Sequence, residues 1–192
     1  MEPLKIMIES SGRHAHLSAA DAAVLFGSDY DLDHDVKKEL SQPGQFASHQ
    51  KVTVKGPKGE LSMTVLGPCR KESQVEVSLT DARALGLVPQ IRESGALDGT
   101  DGCVLVGPKG EVALNCGLIV AKRHIHLTPE TAERHGIKDK DILKVRVGEE
   151  RALIFDQVVA RVNPTYADAM HIDYDEANAA KLTGTTYGVV LL

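Results

Sequence analysis

With 192 residues the chain can hold one mid-sized domain or two small ones, and with no Trp, four Tyr and three Phe its core must be aliphatic. A formal charge of −5 without any Lys/Arg run argues against a nucleic-acid backbone as partner, though a small anion remains open through local basic residues. Cys69, Cys103 and Cys116 are odd in number and form no CxxC, so they suggest neither a disulfide framework nor a zinc knuckle and point to a reducing, cytosolic setting; no signal peptide or membrane-length apolar run is seen.

In chain order, residues 4–8 (LKIMI) read as a short strand leading into RHAHL, Arg13 to Leu17. A short helix follows, with Ser18 as N-cap, Asp21 at N3 and Gly27 as its stop. Residues 28–50 read as irregular, with Asp29, Asp31, Asp33 and Asp35 in a solvated loop. A calcium loop is disfavoured there, because His34 and Leu40 stand where its Gly and bidentate Glu belong. From Lys51 the texture is β: KVTVK and ELSMTVL flank the turn GPKG, and GPKGE recurs at Gly107 to Glu111 between CVLV and VALNC, predicting two hairpins. Neither turn has the GK[ST] ending of a P-loop. RHIHL, Arg123 to Leu127, comes next, then a helix from Thr128 to about His135 ended by Gly136. The strands ILKVRV, ALIFDQVVARV and YGVVLL follow, with a short helix near Asp175 to Leu182. Hairpins, short helices and the lack of βαβ alternation predict a mainly β fold of small β-barrels with no flexible linker between the halves.

The twice-used HxH carries the chemistry. On a strand, residues i and i+2 share a face with Cα atoms about 6.5 Å apart, so two imidazoles can meet one ion or one substrate. A single HxH is as readily a hydrogen-bonded pair; two, each after Arg and before Leu and Ser or Thr, form a pattern. The helix caps extend it. Ser18, Thr80 and Thr128 read as N-caps, with His14, Glu76 and His124 four residues before them and His16, Ser78 and His126 two before. In MHIDYDEANAA, Asp173 reads as a cap with Glu176 at N3, which puts His171 two residues before its cap. Imidazole and carboxylate suit zinc or a similar divalent ion, and the most economical partition is His14, His16 and Glu76 for one ion and His124, His126 and His171 for another, each set leaving positions open. Glu130 has cupin-like spacing after His126 but falls in a helix's first turn, facing away.

Arg13 and Arg123 alternate to the opposite strand face, where a structural ion pair is expected. Arg70 follows a Gly-Pro turn at even offset from Glu76; a bidentate phosphate clamp and a solvated surface arginine both remain open. Cys69 beside Arg70 reads as an apolar filler in preference to a nucleophile, since no histidine adjoins it. His135 belongs to a last helical turn, where its charge favours the dipole, and His34 and His49 to loops.

The stretches SGRHAHLS, LSQPGQFA, LGPCRKESQVEVSLTDARALG, IRESG, AKRHIHLTP and MHIDYDEANAA resemble the PduL-type phosphate acyltransferases (phosphotransacylases, phosphate propanoyltransferases) over nearly the whole chain. The resemblance implies two β-barrels capped by short helices and discontinuous in sequence. Residues 1–12 and 122–192 would form the first barrel and 13–121 the second, with an irregular insertion near 28–50 and the active site at their interface. It implies two Zn2+ on the two donor sets above, a phosphate-binding, catalytic Arg70, CoA as substrate or product, and a homodimer. Gly12 stands where the family pattern has Asn and Tyr174 where it has Thr. Family members packaged in bacterial microcompartments carry an amphipathic N-terminal extension. Here the first strand begins almost at Met1, so the expectation is a cytoplasmic enzyme or one whose extension was trimmed. The expected activity is interconversion of acetyl-CoA or propanoyl-CoA plus phosphate with acyl phosphate plus CoA; the alternative is a dinuclear metal-dependent ester or thioester hydrolase, which needs no phosphate clamp. A metal-binding module without turnover would need further ligands to close both sites.

Overall fold

A computed structural model describes residues 3–191. The chain runs β1 (Lys5–Ser11), β2 (His14–Ser18), α1 (Ala19–Phe26), a 3-10 turn (Leu32–His34), β3 (Val36–Glu39), β4 (Phe46–Lys55), β5 (Glu60–Arg70), β6 (Gln74–Glu76), α2 (Leu79–Leu85), β7 (Gln90–Arg92) and β8 (Asp101–Val106). It continues with β9 (Glu111–Ala121), β10 (His124–Leu127), α3 (Pro129–His135), β11 (Ile142–Val147), β12 (Leu153–Val162), β13 (Ala169–Asp173), α4 (Tyr174–Ala179) and β14 (Thr186–Leu191). Two compact units result, one taking the chain up to Gly12 and from Lys122 onward, the other Arg13 to Ala121.

The first unit is a closed barrel in the order β1-β13-β10-β12-β11-β14, with β14 returning to pair with β1. In the second, β4-β5-β2-β6-β9 closes through β8, which pairs with both β4 and β9, while β3 and β7 add to the outside of the ring. Six strands close each barrel, and they correspond one to one: β2 to β10, β4 to β11, β5 to β12, β6 to β13, β8 to β14 and β9 to β1. In both, the HxH strand runs parallel to one neighbour (β5 or β12) and antiparallel to the other (β6 or β13). The strand preceding each HxH in sequence belongs to the opposite unit: β1 leads into β2 yet pairs with β13, and β9 leads into β10 yet pairs with β6. Local pattern cannot reveal this exchange, because it changes the partner of a strand and not its period.

Both cores are mainly aliphatic, with Phe155 in the first and Phe26 in the second. Ile6, Ile8, Ile125, Leu127, Val145, Met170 and Ile172 anchor the first and Leu17, Leu25, Val54, Val65, Leu85, Leu105 and Leu118 the second, all buried. Strand alternation sets the register: in β11, Leu143, Val145 and Val147 turn inward between exposed neighbours, and a slip of one residue would expose all three. The two GPKG turns do connect β4 to β5 and β8 to β9, and their role is packing. The Lys58 N–H donates to the Leu85 carbonyl and the Lys109 N–H to the Leu25 carbonyl, each satisfying an end of α2 or α1. A Cβ at Gly56 or Gly107 would stand 2.3 or 2.4 Å from those same carbonyl oxygens, so the turns need glycine there.

Two expectations are corrected. Residues 28–50 are not all irregular: β3 and the first half of β4 lie there, the latter placing Phe46 and Ser48 inside. The acidic stretch before β3 holds no strand, and Asp29, Asp31 and Asp33 are exposed as expected; Asp35 is half-buried against Tyr30 and His49, and Asp33 accepts from the Cys69 N–H. His49 therefore lies on a strand. Gly67 and Pro68 form no turn but lie within β5, joined by a cis bond; the Phe46 ring fills the space where a Gly67 side chain would project.

Candidate metal and anion site

Strand alternation explains how the histidines converge. Ala15 and Leu17 of β2, and Ile125 and Leu127 of β10, turn into their barrel cores at 0% exposure. That sends His14 and His16, and His124 and His126, to the other face of each strand. The third donor comes from the antiparallel neighbour, where Glu76 is the register partner of His14 and His171 that of His124. Directly opposed residues share a face with Cβ atoms about 4.5–5.5 Å apart. The donor atoms of His14, His16 and Glu76 accordingly lie within 4.8 Å of one another, as do those of His124, His126 and His171. Among the described residues these are the two groupings of this kind.

The N-cap of α2 is Ser78, not Thr80. The Ser78 hydroxyl accepts from the Asp81 N–H at 3.1 Å while the Asp81 carboxylate accepts from the Ser78 N–H at 3.4 Å, a reciprocal capping box. Thr80 is the cap expected from the sequence; the Ser78-x-x-Asp81 spacing of a capping box is the signal that points to Ser78 instead. The correction tightens the pattern: His16, Glu76, His126 and His171 now all stand two residues before a cap. The parity that put Glu76 on the histidine face is unchanged.

Electrostatics differ between the two sets. Burial, then the charges of His14 and Arg70, holds His16 well below the usual imidazole range. Burial alone would raise the Glu76 carboxyl, but His14, His16 and Arg70 outweigh it and hold it low, so it stays ionised; its Oε2 is 3.6 Å from His14 Nε2. Burial, with His124, His171 and Arg161, lowers His126 to about 2. Three imidazoles meet in one set; two and an ionised carboxylate meet in the other. His16 Nδ1 and both ring nitrogens of His126 are buried without hydrogen-bond partners, which is costly unless another ligand occupies them. His124 Nδ1 donates to the Lys122 carbonyl at 2.9 Å, and His171 Nδ1 lies 3.6 Å from the Glu9 carboxylate. Such contacts orient a metal-binding imidazole through its second nitrogen. The donor types, their convergence and these unpartnered atoms fit a divalent ion in each set.

Beside the first set, Arg70 Nη1 donates to Ser94 Oγ at 3.1 Å, and Ser94 Oγ donates to Glu76 Oε1 at 3.0 Å. Gln74, 1% exposed, donates to the same Glu76 oxygen at 2.5 Å and to Ser94 at 2.8 Å, while its own Oε1 accepts from the Gly95 N–H. Arg70 is therefore half-buried and held, not a solvated surface arginine. Ser94 and Gln74 carried no role in the sequence reading; the signal available was the IRESG stretch and the even offset of Gln74 from Glu76.

Arg13 pairs with Asp81 at 2.5 Å and Arg123 with Glu176 at 2.6 Å. Cys69 is no activated nucleophile: burial, and then Asp33, push its thiol up to about 11. Glu130 points outward to Arg134 at 2.6 Å. Gly12 lies against Tyr174: a Cβ at Gly12 would stand 3.0 Å from the Tyr174 ring.

The family model for phosphate propanoyltransferase matches residues 7–183. A phosphate propanoyltransferase of Enterococcus faecalis is 51% identical over 96% of this chain and 87% of its own length. One of Thermotoga maritima is 52% identical over 92% of this chain and 84% of its own, and one of Clostridioides difficile 49% over 97% and 88%. All six candidate donors and Arg70 lie inside the matched segment, and the hydrolase alternative finds no support in it. By its matched length and its identity to these relatives, the chain belongs to the phosphate propanoyltransferase family and is an acyltransferase.

Proposed function

We propose that the protein interconverts a short-chain acyl-CoA, propanoyl-CoA or acetyl-CoA, and phosphate with the acyl phosphate and free CoA, with a divalent ion, zinc by donor type, held by His14, His16 and Glu76 and another by His124, His126 and His171. The observation that carries this reading is the link from Arg70 through Ser94 to the Glu76 carboxylate, which ties a phosphate-matching guanidinium to one donor set.

In this account Arg70 binds phosphate bidentately and turns one of its oxygens toward the thioester. Ser94 fixes the plane of the guanidinium, and Gln74 fixes Ser94 and Glu76. The phosphate oxygen forms the new bond to the acyl carbon, the carbon–sulfur bond breaks, and the electron pair leaves with the CoA thiolate. No protein nucleophile is needed, in keeping with the raised thiol of Cys69. Positioning does most of the work, since two reactants held in attack geometry react as one molecule. When bound, a divalent ion supplies Lewis-acid stabilisation of negative charge on the carbonyl oxygen, the thiolate or phosphate. The proposed setting is the bacterial cytosol or a microcompartment lumen, with a homodimer as the proposed assembly.

The test is thiol release from propanoyl-CoA with and without phosphate. The proposal expects release that depends on phosphate and yields propanoyl phosphate; equal release without phosphate, with propanoate as product, would remove it.

A further inference from the structure

We infer that Arg13 and Arg123 are positioning residues for the two donor sets, each clamping an HxH strand to the helix that follows the third donor. The inference rests on the metal reading above.

Arg13 immediately precedes β2. Its Nη1 donates to Asp81 Oδ1 at 2.5 Å and its Nε to the Ser62 carbonyl of β5 at 3.2 Å. The other Asp81 oxygen accepts from the Ser78 N–H, and Ser78 follows Glu76 by two residues. A chain of contacts therefore runs from the residue beside His14, through one carboxylate, to the backbone just beyond Glu76. Arg123 repeats every part of it before β10. Its Nε contacts Glu176 Oε1 at 2.6 Å and its Nη1 donates to the Asp156 carbonyl of β12 at 3.3 Å. The other Glu176 oxygen accepts from the Asp173 N–H at 3.1 Å, and Asp173 follows His171 by two residues.

Asp81 and Glu176 are both the N3 residue of a capping box, so each does two jobs: one oxygen closes the helix, the other takes the arginine. The strands reached, β5 and β12, are the parallel neighbours of β2 and β10. Each guanidinium thus joins its HxH strand to that strand's parallel neighbour and to the helix that follows the third donor. A fork with donors at fixed angles can do this, and a lysine's point charge cannot hold two acceptors on different elements as well. Because each guanidinium is paired with a carboxylate, its effect on a bound cation is geometric and not a repulsion.

The two clamps are not equally needed. Glu76 sits on a strand of three residues and His171 on one of five, with four register partners along β1 against two along β9 for β6. Glu76 has less sheet to hold it, so the loss of Arg13 should be felt more than that of Arg123.

Co2+ is the probe, since its visible absorption reports coordination geometry as well as occupancy. In a His124→Ala background, Co2+ reads the His14 set; in a His14→Ala background, it reads the His124 set. Arg13→Gln and Asp81→Asn should each weaken Co2+ binding at the first set by about 10- to 100-fold, the range seen when a partner behind a metal ligand is lost, and alter its spectrum. Their double variant should be no weaker than the worse single, and Arg13→Lys should recover part of the affinity. Arg123→Gln should weaken only the second set, and by less. If Arg13→Gln does not fold, Asp81→Asn, which keeps an acceptor for the Ser78 N–H, carries the same expectation. Unchanged affinity and spectrum in Asp81→Asn and Arg123→Gln, with wild-type sites that bind Co2+, would overturn the clamp alone. A protein whose wild-type sites take up no Co2+ would overturn the metal reading and this inference together.

Discussion

Glu76 and His171 occupy the same place in their barrels, each directly across an antiparallel pair from the first histidine of an HxH strand, Glu76 from His14 and His171 from His124. One set therefore carries a carboxylate where the other carries a third imidazole, on a shared backbone plan. Glu76→His should still hold a divalent ion, because imidazole serves at the equivalent position, whereas Glu76→Ala should lose it. Activity should fall in both, since Gln74 and Ser94 lose the carboxylate oxygen they contact. Elemental analysis beside turnover separates the two effects.

Arg70→Ala removes a preformed charge-assisted contact while leaving both donor sets intact, so metal content should hardly change. Turnover should drop by about 10²- to 10³-fold, the size expected when one preorganised electrostatic donor is deleted. The KM for phosphate should rise far more than that for acyl-CoA. Arg70→Lys should rescue only partly. Steady-state kinetics with each substrate varied in turn checks this.

Cys69→Ser should keep most activity. The thiol is raised to about 11 by burial and Asp33, so little thiolate exists near neutral pH to attack a thioester. Mass spectrometry of the enzyme quenched during turnover should find no acyl adduct; one on Cys69, absent from an inactive serine variant, would contradict direct attack by phosphate.

Gly12 and Tyr174 should be coupled. A methyl at Gly12 meets the Tyr174 ring at 3.0 Å, tight enough to force movement, yet the ring is 53% exposed and can swing aside. Gly12→Ala should cost about 1 kcal/mol, at the low end for overpacking. In a Tyr174→Ala background it should be neutral or stabilising, since replacing glycine reduces the freedom of the unfolded chain. Thermal melts of the four proteins measure the coupling.

The HxH strands, three of the four helix caps and both hairpin turns were legible because each rests on local chemistry: alternation, an N-cap oxygen, a glycine. The fourth cap was misplaced at Thr80, although the Ser78-x-x-Asp81 spacing of a capping box stood in the sequence. The strands within residues 28–50 were hidden because β3, Val36–Glu39, is exposed at every position and shows no alternation, and β4 begins just after the Pro43-Gly44 turn. Ser94 was invisible for another reason. A serine in a loop becomes informative only when β7 and the loop after it bring it to Arg70 and Glu76. The exchange of β1 and β9 between barrels is non-local altogether.

The central claim is that each donor set holds its own ion, and counting ions per chain tests it most directly. Elemental analysis should find two divalent ions in the wild type, one in His14→Ala and one in His124→Ala. A single ion in the wild type, lost completely in either variant, would mean one shared site and contradict the account.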